Sequence, residues 1–114
     1  MFQLASANQT YSTSVRVDVP TDGGKNKTHV FKAIFKRVSQ SELDNIHERI
    51  QEKTLTDAGL INEVMVGWDD VADEHGQKAE FNPDNLSALL DVYPTRPTIV
   101  QAFFTTINNA VRKN

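Results

Sequence analysis

The spacing of apolar residues changes along the chain, and each spacing predicts a different element. Val15, Val17 and Val19 alternate with Arg16 and Asp18, the period-two signature of a half-buried strand. Pro20 ends that run, because proline cannot donate to a ladder. Asp22-Gly23-Gly24 then supplies residues that accept positive φ, and Lys25-Asn26-Lys27 keeps the loop hydrated. From His29 to Val38 the alternation returns. Phe31, Ala33 and Phe35 share one face, while Val30, Ile34 and Val38 share the other with Lys32 and Lys36. This predicts a β-hairpin over 14–38 whose second face is partly covered. Residues 1–13 are small and polar, with Phe2, Leu4 and Tyr11 as anchors, and are expected to be a loose or edge-pairing start.

The spacing then becomes helical. Ser39 and Glu42 have the interval of a capping box. Leu43, Ile46 and Ile50 follow on one stripe, with His47 at its margin and Glu48, Arg49, Glu52 and Lys53 outside. Thr56-Asp57 opens a second helix through Leu60, Ile61, Val64 and Met65, so helices are expected over 39–66. Around Trp68 the chain reads as extended, with a turn at Asp73-Glu74-His75-Gly76 and a short return at 78–81. A short hairpin or turn is therefore expected over 67–81. Asn82 is a natural N-cap with Pro83 at the first helical position. Leu86, Leu89 and Leu90 face inward from that helix, and Pro97-Thr98 opens the last one. The C-terminal helices span 82–112.

The fold class that results is α+β, an N-terminal antiparallel β-hairpin or small sheet packed with about four α-helices. With 114 residues the chain is expected to be a single domain over 1–114. The absence of cysteine excludes disulfides and thiolate metal ligands. A net charge of −3 argues against nucleic acid as a partner, because neutralising phosphates needs a basic face. No apolar run approaches the ~20 residues of a membrane span, and the first residues lack the basic and apolar regions of a signal peptide.

Candidate chemistry is sparse. Asp69, Asp70, Asp73, Glu74 and His75 form the densest titratable cluster. Counting back from Gly76 as the sixth position of an EF-hand loop places Val71, not a carboxylate, at the first. No second histidine stands nearby for zinc. The histidines at 29, 47 and 75 fall in a strand, a helix and a turn, with no Gly-x-Ser-x-Gly elbow. Asp22-Gly23-Gly24-Lys25 lacks the spacing of a phosphate loop. No catalytic residue, cofactor or metal is expected, and the chain does not read as an enzyme.

The last helix carries an apolar surplus. Ile99, Val100, Phe103, Phe104, Ile107, Ala110 and Val111 fall within an arc of about 140°, wider than the ~100° of one core-facing stripe. Either two neighbouring elements cover the arc, or part of it binds protein. The candidate surface is Val100, Phe104, Ile107 and Val111, with Met65 and Val66 as neighbours.

The order of these elements resembles a known family. The segment from Thr28 through Phe31, Phe35 and Ser39 to Leu43 is similar to the strand and helix start of small tail assembly chaperones of long-tailed bacteriophages. Val66-Gly-Trp-Asp-Asp-Val-Ala-Asp-Glu-His-Gly76, then Phe81-Asn-Pro-Asp-Asn-Leu86 and Leu89-Leu90, continue the likeness. It implies a chaperone that binds the tape-measure protein, with the tail tube protein as a second partner, and it is compatible with self-association. It further implies work in the host cytoplasm, absence from the mature virion, and no membrane or nucleic-acid partner. The alternative is a structural minor tail or head-tail joining protein of the phage particle.

Overall fold

The computed structural model describes residues 1–2, 4 and 9–112. These form, in chain order, strands β1 (Thr10–Pro20) and β2 (Asn26–Lys36), helices α1 (Gln40–Gln51) and α2 (Asp57–Val64), strand β3 (Met65–Asp69), and helices α3 (Pro83–Leu90) and α4 (Thr95–Arg112). The described strands make one antiparallel sheet in the order β1-β2-β3. The α+β architecture read from the spacing is the one observed.

β1 pairs with β2 over its whole length, from Thr10↔Lys36 to Pro20↔Asn26. It begins four residues before the expected hairpin start at 14. Ser12, Thr13 and Ser14 carry no apolar alternation, so the ladder here is set by pairing to β2. The remainder of the expected loose start includes positions 3 and 5–8, which lie outside the described residues. At the turn, Gly23 and Gly24 take φ of 74° and 76°, conformations that residues with a Cβ rarely adopt.

The register puts Val15 opposite Phe31 and Trp68 opposite Ala33. Val15, Val17, Phe31, Ala33, Phe35 and Trp68 are all buried on this inner face. Ser14, Arg16, Asp18, Lys32 and Asp69 alternate onto the outer face and are exposed. Helices α2 and α4 cover the inner face, with Leu60, Ile61, Val64, Ile99 and Phe103 closing the core.

One local reading is corrected. The helices expected over 39–66 stop at Val64, and Met65 and Val66 already belong to β3. The extended stretch at Trp68 adds a third strand to the N-terminal sheet, and the short turn expected after it is present: Ala72 bridges Lys78, and the Ala79 and Asp73 amides donate to the Val71 and Gln77 carbonyls at 2.9 and 2.7 Å. The indole holds the return as well. Trp68 donates from Nε1 to the Ala79 carbonyl at 2.9 Å, and its ring meets Phe81 edge-on at 5.0 Å. The last helix also starts two residues before Pro97, whose missing N–H is harmless in a first turn that has no intrahelical acceptors.

The predicted capping box at α1 is present in both directions. Ser39 Oγ accepts from the Glu42 amide at 3.1 Å, and the Glu42 carboxylate accepts from the Ser39 amide at 3.2 Å. Lys36 also donates to Glu42 at 3.0 Å. Arg49 forks onto Glu63 at 2.6 and 2.8 Å, tying α1 to α2.

Ser39→Ala is expected to lower stability by about 1 kcal/mol, measured as a shift in the urea midpoint at unchanged slope. An unmoved midpoint would mean that the cap does not act in solution. The hydrogen bond from Arg49 holds the Glu63 carboxyl below the ordinary glutamate range, and that from Lys36, followed by the Ser39 amide, does the same for Glu42. Depressed folded values stabilise above the unfolded value and lose that stabilisation as pH falls through the folded one. The urea midpoint should therefore drop between about pH 5 and pH 3. Glu63→Gln should flatten the drop, and a parallel fall in both proteins would rule out the pair as its source.

Candidate functional site

The arc on α4 divides into a buried half and a half-covered half. Ile99 and Phe103 are fully buried. Phe103 meets Phe35 edge-on at 5.2 Å, and Tyr11 tilts onto Phe35 at 5.9 Å while its hydroxyl lies 2.8 Å from that of Thr106. Val100, Phe104 and Ile107 are half buried against the core edge. Phe104 lies between Phe103, edge-on at 5.2 Å, and His47 of α1, tilted at 5.8 Å. Val111, at the far end, is 72% exposed. A second element does lie over the second stripe, since α1 reaches Phe104, and the stripe opens toward Val111.

Met65 and Val66 do not sit together. The register passes from Ile34↔Gly67 to Phe35↔Met65, leaving Val66 as the extra residue of a β-bulge. Without that insertion Met65 would point outward. With it, Met65 is buried in the core at 3% exposure, while Val66 is 46% exposed. Met65 thus belongs to the core and not to an exposed surface.

An apolar surface that the sequence reading did not single out lies at the other end of α4. The hairpin is longer than the helix layer beneath it. Val17 is buried, Val19 is half buried, and every residue from Pro20 to Val30 is exposed. A groove of ≈ 480 Å³ opens under this overhang. Val17, Val19 and Phe31 form one wall, and Val71, Leu89 and Val92 form the others. Val92 is 46% exposed. Asp70 enters the lining where the chain leaves β3, with φ of 66°. The available signal was Val19, which continues the Val15-Val17 alternation beyond the residues that a small core covers.

A larger depression of ≈ 630 Å³ between α2, α3 and the start of α4 has Asn62, Asp84, Ser87, Asp91 and Arg96 in its lining. Ala58, Pro83, Ala88 and Leu90 lie among them, so its surface is mixed. Among the described residues no group of three His, Asp or Glu side chains is placed to hold a metal ion, and no helix is long and apolar enough to cross a membrane.

The geometry is therefore that of a scaffold with apolar surface at both ends of its longest helix. The sequence model of a family described as phage tail assembly chaperone matches residues 4–114. The chain belongs to this phage tail assembly chaperone family. No curated protein and no solved structure matched the chaperone in the parallel comparisons. The likeness that pointed to such chaperones, roughly over 15–114, lies within the matched span.

Truncating the two adjacent rings of α4 separates core from surface. Phe103→Ala is expected to cost about 3–5 kcal/mol, as for a fully buried ring, and Phe104→Ala clearly less. Equal losses in urea denaturation would place both rings in the core.

Proposed function

We propose that this tail assembly chaperone binds the tape-measure protein of its phage and keeps it soluble until the tail tube assembles around it. The match of the family over nearly the whole chain carries this reading. A tape-measure protein is a long, mostly helical chain, and its apolar faces need cover before they reach their final partners. Apolar side chains at helical spacing dock into apolar grooves, and the surfaces at the two ends of α4 are of that kind. On this reading the protein acts by binding and not by catalysis, works in the host cytoplasm and leaves before the virion is complete. Tail tube subunits are the natural second partner, because they take over the client.

The α4 stripe of Val100, Phe104, Ile107 and Val111, with Val66, is part of this proposal. Its exposed end is the accessible part, so Val111→Glu tests it without touching the core. Co-expression with the tape-measure protein of the same phage should yield soluble, co-purifying client. Val111→Glu should reduce the soluble client at least severalfold while leaving the urea midpoint unchanged. A folded wild-type chaperone that neither binds nor solubilises the client would overturn the proposal, and recovery of the protein in purified particles would favour a structural tail component.

A further inference from the structure

We infer that the free edge of β1 is a self-association surface, along which a second copy of this chain adds its own β1 antiparallel and joins the two three-stranded sheets into one. β1 is an outer strand of the sheet. The two ends of its ladder show which of its backbone groups are left over. The Arg37 amide donates to the Gln9 carbonyl at 2.9 Å, and the Thr21 amide donates to the Lys25 carbonyl at 2.7 Å. Both pairs continue the β1–β2 register, which runs without a shift between them. In an antiparallel ladder, bonded pairs alternate with pairs whose groups point away from each other. The odd-numbered residues of β1 therefore bond to β2, and Ser12, Ser14, Arg16 and Asp18 turn their N–H and C=O groups outward. All four are exposed.

The strand is not built to repel a partner. An edge is protected by shortness, bulges, lysines or prolines. The opposite edge, β3, has two of these devices, being five residues long with a bulge in its pairing. By contrast β1 is 11 residues long, pairs without a bulge and carries no lysine. Its proline, Pro20, stands at the last position.

Charge names the occupant. A dimer with two-fold symmetry brings the same strand against itself, so the residue on the axis sets every other pair. A two-fold at Arg16 or Asp18 places like charges opposite each other, which opposes pairing. One at Ser14 or Val15 sets both charges against serine or threonine. One at Val17 sets Arg16 against Asp18 of the second copy, twice over, and the outward backbone groups meet at both pairs. The same register places Val15 against Val19, and Val17 against itself, on the inner face. Asp18 is already held for this by Thr28, whose hydroxyl donates to it across the ladder at 2.6 Å. Arg16 lies 3.4 Å from Asp18 of its own strand, an exposed contact that the second copy extends into a network.

Sedimentation equilibrium of the full chain at rising concentration should show a monomer–dimer equilibrium. Arg16→Asp and Asp18→Arg, each checked for an intact fold by its amide NMR spectrum, should weaken the dimer at least about fivefold. Mixing the two variants should restore association, because one then carries two acids where the other carries two bases. Ser14→Pro, which removes an outward N–H and no bond to β2, should weaken the dimer as well. Ser12→Pro, the same change outside the 14–20 overlap of a Val17-centred pair, should not. A chain that stays monomeric at every concentration, a dimer indifferent to both charge changes, or a mixture that does not recover would overturn the inference. Equal losses with the two prolines would overturn it too, since the strands would then meet in another register.

Discussion

The edge-to-face contact between Phe35 and Phe103 fixes where every other element can lie. Phe35 stands near the end of the central strand, fully buried, and Phe103 stands midway along α4. Such a pair adds roughly 0.5–1.5 kcal/mol beyond the area that it buries, and the area is itself large for two rings. Because β2 holds both other strands, seating α4 on Phe35 also lays α4 along β1. Tyr11 then reaches Thr106 from β1, and α2 fills the remaining inner face beside β3. Phe104 follows at the next helical position, about 100° around the axis, and is carried toward α1 and His47.

The same placement creates the open surfaces. Since α4 is anchored near its middle, its two ends run beyond the densest packing. At one end Val111 emerges into solvent. At the other the chain turns through Val92 and Thr95 beneath a hairpin that projects further than the helices extend. Both surfaces arise because a hairpin of two 11-residue strands and an 18-residue helix share a core shorter than either. They are consequences of element length, not of a specialised loop.

Length and pattern made much of this legible in the sequence. The alternation of Val15 to Val19 and Phe31 to Phe35, the capping box at Ser39, and the caps at Thr56 and Asn82 are local signals, and α1, α2 and α3 each begin directly after their caps. What escaped was non-local. Met65 satisfies helical spacing as well as strand pairing, and only the bulge at Val66, imposed by pairing with β2, decides that it turns inward. The return at 78–81 has strand-like residues, yet it makes only one bridge and two backbone bonds to 71–73, and the Trp68 indole takes the Ala79 carbonyl. Pairing partners and helix overhangs are properties of the assembled chain, so no single window of sequence contains them.

The groove illustrates how such a non-local feature still leaves a trace. An inward-facing strand position needs to be apolar only where something covers it, so Val19 has no packing demand as strong as that of Val15. Its half-buried valine, together with an exposed Val92 and a half-buried Leu89, keeps apolar surface in water where polar residues would be cheaper. Apolar residues left uncovered are what the groove needs if the chain completes its packing against a partner, which for a tail assembly chaperone is the ordinary condition of its work.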